Sequence, residues 1–230
     1  MVPDLSISPY HRGFFCNDES IRLPYKKDTI SPGLLVVILL VIAIVAVEIF
    51  RDYRLREVDP ALYSIRSFNI NRVVVRCCTY LGYCLIGICF EYVICESTKL
   101  AVGRLRPNFI DVCRPNIGWL SCSAPYIYIT NYTCTSTFSD YLKKEAHVSF
   151  FSGHTAVTTH VVTYCVIYLC ARLPRRIYGV LMVPVVQTIL VTAGLLVGYS
   201  RISDHKHHWS DVLAGIFVGV CTGALSVSIR

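Results

Sequence analysis

The stretch from Ser200 to Asp211 concentrates the residue types that can carry chemistry: three histidines, a lysine, an arginine and two aspartates within twelve residues. His207 and Asp211 are four residues apart, so a helix that begins near His207 places both side chains on one face. A carboxylate in that position can hold an imidazole in one tautomer and favour its protonated form. His208 lies three residues from Asp211 and fits the same pattern, and spacing alone does not choose between the two histidines.

The same histidines are also compatible with a metal site. His205, His207 and His208 form a His-x-His-His cluster that zinc or copper can use, and a metal-binding transporter is one function built on such a cluster. A transporter of this kind needs polar residues at the middle of several spans. The sequence offers mainly Glu91 there, which is thin support.

Composition indicates a membrane protein. The chain has 230 residues, of which 54% are hydrophobic and only 16% are charged, and its mean hydropathy is +0.52. These values are too apolar for an ordinary soluble domain and predict several membrane spans. The net charge of +7 does not indicate nucleic-acid binding, because the basic residues occur in short clusters between apolar runs.

Apolar runs define the elements that must position the ionisable stretch. Each run is long enough to cross a hydrocarbon core of about 30 Å at about 1.5 Å per residue. We place five spans at about 32–50, 73–98, 153–170, 177–198 and 211–227. The sequence therefore predicts an all-α fold, an integral membrane helical bundle formed by one domain over residues 1–230.

Four polar residues outside the ionisable stretch need an interpretation. Glu91 lies inside the second span, and we expect it to face other helices rather than lipid. His147 and His160 have no partner in the sequence, and neither does His11; all three are interpreted as loop or packing residues.

Loop charges predict the orientation of the spans. Two arginine clusters fall on one side, together with Arg230, and this side should be cytosolic. The clusters are Arg51, Arg54 and Arg56, and Arg172, Arg175 and Arg176. The opposite, extracytoplasmic side then holds residues 1–31, the loop 99–152 and the Ser200–His208 cluster. Asn131 begins an Asn-Tyr-Thr glycosylation sequon in that loop, which agrees with the charge rule.

Twelve cysteines fall into two groups. Eight lie inside apolar runs and are interpreted as small buried hydrophobes. Four lie in polar loops and can form disulfides on the extracytoplasmic side, although the sequence does not give their pairing. These four are Cys16, Cys113, Cys122 and Cys134.

Three ionisable clusters converge on the extracytoplasmic face. Lys99, Arg104, Arg106 and Arg201 supply cationic donors that suit phosphate oxygens. Ser152 and Gly153 precede a helix whose N-terminal N–H groups and dipole favour an anion. His154 and one histidine of the later pair can then divide the work, one attacking phosphorus and the other protonating the leaving oxygen. No metal is needed if the arginines stabilise the transition-state charge.

These clusters resemble the three signature motifs of the type 2 phosphatidic acid phosphatase superfamily. The matching segments, in chain order, are Lys99–x6–Arg106-Pro107, Ser152-Gly153-His154 and Ser200-Arg201–x5–His207–x3–Asp211. The flanks, such as Arg12-Gly-Phe-Phe-Cys and Pro24-Tyr25, are similar to those of the animal lipid phosphate phosphatases. The likeness covers nearly the whole chain, and three motifs in the right order are highly specific.

The resemblance implies a metal-independent lipid phosphatase in the membrane. Its substrates would be phosphatidate, lysophosphatidate, sphingosine 1-phosphate or ceramide 1-phosphate. His207 would be the nucleophile that forms a phosphohistidine, Asp211 would orient and activate it, and His154 would be the acid that protonates the leaving alkoxide. The phosphate-binding residues would be Lys99, Arg106, Ser152, Gly153 and Arg201.

The resemblance also implies a location in the cell and a number of membrane spans. It implies the plasma membrane, an extracellular or luminal active site, no cofactor such as magnesium, and a homo-oligomer. Family members have six spans, and this chain shows five, so we expect it to lack the family's first span. A catalytically idle relative that acts through membrane association or lipid binding is therefore the alternative. A phosphatase for soluble sugar phosphates is a further alternative, and the flanking residues disfavour it.

Overall fold

The structure is a computed structural model that describes residues 9–49, 62–65, 68–117, 126–172 and 175–228. Within these ranges the chain is mostly helical, as predicted, with seven α-helices and two short antiparallel strand pairs. The helices are α1 (Pro32–Ile49), α2 (Arg72–Val102), α3 (Phe109–Cys113), α4 (Asp140–Glu145), α5 (Gly153–Arg172), α6 (Arg175–Ser203) and α7 (Trp209–Ser228). The strands are β1 (Phe14–Phe15), β2 (Leu62–Ile65), β3 (Phe68–Asn71) and β4 (Tyr128–Ile129).

Helices occupy all five predicted spans. Four segments are long and apolar enough to cross a membrane: Cys78–Val102, Gly153–Ala171, Val180–Ser203 and Trp209–Ser228. Within α1 the comparable apolar segment is the shorter Pro32–Ala43. The protein is therefore an integral membrane protein with a helical bundle fold.

Two helices extend beyond the predicted ends of their spans. Helix α2 continues to Val102 and α6 continues to Ser203, so Lys99 and Arg201 lie in last helical turns rather than in loops. Charged residues are good helix formers, and a cation in the last turn interacts favourably with the helix dipole. The apolar pattern stops where the predicted membrane core ends, but the helix does not stop there.

The chain packs as two compact units. The first comprises Met1–Thr29, Val93–Gly153 and Gly198–Gly215, and the second comprises Ile30–Tyr92, His154–Val197 and Ile216–Arg230. Helices α2, α6 and α7 each contribute residues to both units. Most of the predicted site residues fall in the first unit.

The first unit has a hydrophobic core around Phe109, which is completely buried. Phe14 and Tyr132 pack edge-on against its ring, with ring centroids 5.5 Å and 5.6 Å away. Strands β1 and β4 pair antiparallel, with Phe14 opposite Ile129. This pairing joins the N-terminal segment to the long loop, so two segments far apart in sequence share one core.

A disulfide joins Cys113 to Cys134 across this core. The prediction of disulfides among the polar-loop cysteines is confirmed for this pair, and Cys122 lies outside the described residues. The interpretation of the membrane cysteines as buried is confirmed for Cys84, Cys95 and Cys165 and is wrong for four others. Cys78, Cys89, Cys170 and Cys221 are exposed on the helix surfaces, where a small hydrophobe suits a lipid-facing position.

The second unit is built from close helix packing. Gly219 and Gly223 of α7 lie against the backbone of α5, and a methyl group at Gly223 would come 2.6 Å from the carbonyl oxygen of His160. Small residues allow this approach, which is the usual way that helices pack in membranes. Helix α5 therefore sits at the centre of the unit, consistent with the burial of Val161, Tyr164 and Cys165.

A polar cluster lies inside the second unit. Glu91 of α2 and His160 of α5 are both completely buried, with 3.1 Å between Glu91 Oε2 and His160 Nδ1. Thr222 of α7 lies 2.9 Å from both atoms, and Ser226 Oγ is 3.5 Å from His160 Nε2. Glu91 does face other helices, as predicted, and the expectation that His160 has no partner is wrong.

We expect Thr222→Val to destabilise the protein, because it removes a hydroxyl shared by Glu91 and His160 while keeping the side-chain shape. Interhelical hydrogen bonds in membranes contribute about 0.6–2 kcal/mol, so the melting temperature in detergent should fall by several degrees. Thr98→Val is the matched control, since Thr98 is half-buried and its hydroxyl donates to the carbonyl of Ile94 in its own helix. Equal melting temperatures for the two variants would contradict a stabilising role of the cluster.

Candidate active site

A tight loop connects α6 to α7 and carries His207. The amide of Asp204 donates to the carbonyl of Ser200 at 2.8 Å, and His205 adopts a left-handed backbone with φ of 57°. The amides of Lys206 and His207 both donate to the carbonyl of Arg201, at 3.1 Å and 3.2 Å. Because α7 begins at Trp209, His207 lies before the helix and not in its first turn, contrary to the expectation from spacing.

Asp211 is the most enclosed charged group of the site, with no exposed surface. Its Oδ2 accepts hydrogen bonds from Ser149 Oγ at 2.6 Å and from the His208 amide at 3.0 Å. Arg104 NH1 donates to Oδ1 at 2.6 Å, and the same nitrogen reaches Ser210 Oγ at 2.8 Å. Burial of a carboxylate is costly without such donors, and here both oxygens are satisfied.

His207 is held by a backbone carbonyl. Its Nδ1 lies 2.7 Å from the carbonyl oxygen of Ser149 and 3.9 Å from Asp211 Oδ2. A carbonyl only accepts hydrogen bonds, so Nδ1 carries the proton and Nε2 of the neutral ring keeps its lone pair. The structure therefore leaves Nε2 of His207 unprotonated, with the carboxylate close by rather than in direct contact.

His208 is the histidine that contacts the carboxylate. Its Nδ1 lies 3.3 Å from Asp211 Oδ2. The sequence spacing did not choose between His207 and His208, and both lie beside Asp211, but in different ways. His207 is almost fully buried and fixed through Ser149, whereas His208 is less buried and paired with the acid.

The surroundings of His207 favour its neutral form. Burial lowers the pKa of His207 well below its ordinary value of 6.5, and the nearby cations Arg106 and Lys99 lower it further. Asp211 acts in the opposite direction without overcoming the burial. A neutral imidazole at physiological pH is what a nucleophile requires.

Two of the predicted phosphate-binding cations lie in this environment. Lys99 Nζ pairs with Glu96 at 2.7 Å and lies 4.0 Å from where a side chain on Gly153 would begin. Arg106 is buried, with NH1 at 3.5 Å from Glu145, and its Nε has no hydrogen-bond partner among the described residues. Arg106 is thus only partly paired, which suits it to an anionic ligand.

Ser152 and Gly153 lie where α5 begins, as predicted. The Ser152 amide donates to the carbonyl of Asp211 at 3.1 Å, which ties this turn to the start of α7. Gly153 is the first residue of α5 and the half-buried His154 is the second. His154 belongs to the second unit, so its role as the acid stays a prediction based on its place next to Gly153.

Arg201 has protein partners for its whole guanidinium group. NH1 donates to Asp28 at 2.8 Å, NH2 to Asp204 at 2.9 Å and Nε to Ser200 Oγ at 3.2 Å. The side chain is almost completely buried. Its predicted role in phosphate binding stays a prediction, and the contacts that it makes here are structural.

Three site features were not predicted from the sequence. Ser149 was given no role from the sequence, yet it contacts both His207 and Asp211. Arg104 was expected to contact phosphate, and it pairs with Asp211 instead. Lys206 is buried against Tyr25, and burial lowers its pKa. Ser149 and Lys206 could have been found from the sequence only through their position close to motif residues.

The ligand atoms of His205, His207 and His208 do not form a group within 4.8 Å of one another among the described residues, so this cluster is not a candidate metal site there. His205 Nδ1 lies 2.9 Å from the carbonyl oxygen of Pro24, while the Nδ1 atoms of His207 and His208 face Ser149 and Asp211. The three Nδ1 atoms are thus committed to three different protein groups.

A buried neutral histidine, an adjacent acid and surrounding cations at membrane helix ends define a candidate phosphoryl-transfer site. The PAP2 superfamily matches residues 79–230 of the chain, which include all of the proposed catalytic residues. The chain belongs to this superfamily.

Curated relatives place the chain more narrowly. It is 40% identical to phospholipid phosphatase homolog 1.2 homolog of Caenorhabditis elegans over 95% of this chain and 64% of that protein. It is 37% identical to phospholipid phosphatase 2 of Mus musculus and of Homo sapiens, over 96% of this chain and 76% and 73% of those proteins. The chain thus spans just under two thirds of the nematode relative and about three quarters of the mammalian ones. No solved structure gives a significant match.

The protein is therefore a membrane enzyme of the phospholipid phosphatase group. The expected family is confirmed, since the similarity extends over nearly the whole chain.

The lowered pKa of His207 predicts activity at unusually low pH. Because the neutral ring persists below pH 6.5, the acidic fall in kcat/KM for a phosphomonoester should have its midpoint below 6.5. The measurement is kcat/KM against pH, with samples returned to neutral pH afterwards to exclude denaturation. A reversible midpoint at or above 6.5 would contradict the neutral state inferred for His207.

Proposed function

We propose that this chain removes phosphate from lipid phosphomonoesters, through a phosphohistidine formed on His207. The proposed substrates are phosphatidate, lysophosphatidate, sphingosine 1-phosphate and ceramide 1-phosphate. The observation that supports this proposal best is the state of His207: buried, neutral, and held through Nδ1 so that Nε2 is left to attack.

The reaction proceeds in two displacements. Nε2 of His207 attacks phosphorus, the bond from phosphorus to the lipid oxygen breaks, and His154 gives a proton to the departing alkoxide. A phosphohistidine and the dephosphorylated lipid result. Water, deprotonated by His154, then attacks the phosphohistidine, which releases phosphate and restores both histidines.

Asp211 supports this chemistry electrostatically. When His207 is phosphorylated on Nε2 and remains protonated on Nδ1, the ring becomes cationic. A carboxylate 3.9 Å from Nδ1 stabilises that charge. The Ser149 carbonyl keeps the ring oriented throughout, because it accepts from Nδ1 in both the free and the phosphorylated states.

Protein cations take the place of a metal in this proposal. Lys99, Arg106, Ser152 and Gly153 bind the phosphate oxygens and stabilise the charge of the transition state, with Arg201 as a further predicted donor. The proposal therefore includes no cofactor and no magnesium. It includes no nucleic-acid partner, and a homo-oligomer remains part of it by resemblance only.

The location of the site suits a lipid substrate. Lys99 and Arg201 lie in last helical turns, and Gly153 and Asp211 lie in first turns. Helix ends of membrane spans lie at the headgroup level, so a lipid phosphate is reached there without lifting its acyl chains from the bilayer. We propose the plasma membrane, with the active site on the extracellular or luminal side.

We expect His207→Ala to abolish phosphate release from short-chain phosphatidate by membranes containing this chain in the presence of EDTA. The wild-type chain should be active under the same conditions, because no step requires a metal. His11→Ala is the matched control, since His11 is exposed and bonds to the carbonyl of Thr130.

Two outcomes would overturn this function. Equal activity of the wild type and His207→Ala would exclude His207 as the nucleophile. A well-expressed wild-type chain without activity would favour the catalytically idle alternative, a protein that acts through membrane association or lipid binding.

The proposed topology makes Asn131 an N-glycosylation site. Asn131 is exposed and follows β4 in the first unit, so it is accessible if this loop is luminal. Wild-type protein from eukaryotic cells should migrate faster after treatment with an endoglycosidase, and Asn131→Gln should not change its mobility. Wild-type protein that shows no shift would argue against a luminal loop.

A further inference from the structure

Residues 24–29, here called the N-terminal strap, lie along the loop that carries His207. The Pro24 carbonyl accepts from His205 Nδ1 at 2.9 Å, and Lys26 Nζ donates to the Ser203 carbonyl at 3.0 Å. Lys206 Nζ lies 4.2 Å from the centre of the Tyr25 ring. Three successive parts of the loop therefore contact the strap.

The end of the strap holds the two charged groups at the base of the loop. Asp28 Oδ1 accepts from Arg201 NH1 at 2.8 Å. Thr29 donates twice to Asp204, from its amide at 2.8 Å and from its hydroxyl at 2.6 Å. Arg201 and Asp204 also pair with each other at 2.9 Å, which closes a four-residue network.

This network connects directly to the backbone of His207. Arg201, whose side chain Asp28 holds, accepts from the amides of Lys206 and His207 with its own carbonyl. Arg201 and Asp204 are 1% and 4% exposed, so the hydrogen bond between them is shielded from water. The bonds that Asp28 and Thr29 make to them are partly buried. A change at Asp28 therefore reaches His207 through Arg201, and a change at Thr29 reaches it through Asp204 and Arg201.

The strap is itself fixed at its other end. The Leu23 amide donates to the Pro107 carbonyl at 2.9 Å, and the Tyr25 amide donates to Asp111 Oδ2 at 2.8 Å. Asp111 lies in α3, which the disulfide at Cys113 joins to the core of the first unit. The strap thus joins the His207 loop to a rigid part of the protein.

We propose that Asp28 and Thr29 are positioning residues for the reaction, which hold Arg201 and Asp204 so that the His207 loop keeps its reactive geometry. This inference rests on the proposed function of His207. It assigns the buried Arg201 a structural role in addition to the proposed phosphate binding. Neither Asp28 nor Thr29 needs to touch the substrate.

The opposing account is that Asp28 competes with phosphate. A carboxylate resembles a phosphate to an arginine, so Asp28 would then occupy Arg201 and weaken substrate binding. The two accounts predict opposite kinetics. Loss of a positioning residue lowers kcat, whereas loss of a competitor lowers KM and leaves kcat unchanged or higher.

The first measurement compares kcat and KM of Asp28→Asn and Thr29→Val with the wild type. A misplacement of about 1 Å costs on the order of 100-fold in rate, so kcat should fall about 10-fold to 100-fold while KM changes by less than about 2-fold. Asp140→Asn and Thr135→Val are the matched controls, because both residues are exposed and lie outside the network. A lower KM with unchanged kcat, or no change at all, would overturn the proposal.

A second measurement does not depend on hydrolysis. Diethyl pyrocarbonate acylates neutral histidine, and mass spectrometry gives the acylation rate of His207 relative to that of the exposed His11. Release of the loop in Asp28→Asn should speed the acylation of His207 several-fold, and the Asp140→Asn control should match the wild type. An unchanged rate would overturn the inference even if the wild type shows no hydrolysis, which would count against the proposed function alone.

Discussion

The site depends on one buried carboxylate. Asp211 has no exposed surface, so its charge must be compensated by hydrogen bonds from the protein. Ser149 and Arg104 supply them from two other segments, and this requirement brings those segments to the start of α7. Once Ser149 is held in this way, its carbonyl is in place to fix His207. The orientation of His207, the proposed nucleophile, is thus a consequence of the hydrogen bonds that compensate the charge of Asp211.

A second buried acid organises the other unit by the same principle. Glu91 is completely buried among three helices and is satisfied on one oxygen by His160 and Thr222. Its other oxygen, Oε1, lacks a hydrogen-bond partner in the part of the chain that the structure describes. The two acids differ in their surroundings. Arg104 pairs with Asp211, and Arg106 and Lys99 lie near His207, whereas the hydrogen-bond partners of Glu91 among the described residues are a histidine and a hydroxyl. Only the first environment suits an anionic substrate.

The sequence predicted the membrane spans well because apolar runs of sufficient length have few alternatives in a bilayer. It predicted helix ends poorly, since α2 continues through Lys99 and α6 through Arg201. Hydrophobicity reports where the membrane core ends, whereas a helix continues until its backbone finds other partners. The partner of His160 was missed for a related reason: Glu91 is 69 residues away, and no local pattern joins them.

The sequence by itself determined the chemistry available to this protein: the histidines, the acid, the cations and their places at the ends of apolar spans. The tertiary structure decided which atoms meet. It assigned the Nδ1 of His207 to the Ser149 carbonyl across 58 residues, and it assigned Arg201 to Asp28 across 173 residues. Every residue except proline carries the same amide and carbonyl groups, so a backbone partner leaves no trace in the sequence. Only the packing of distant segments selects it.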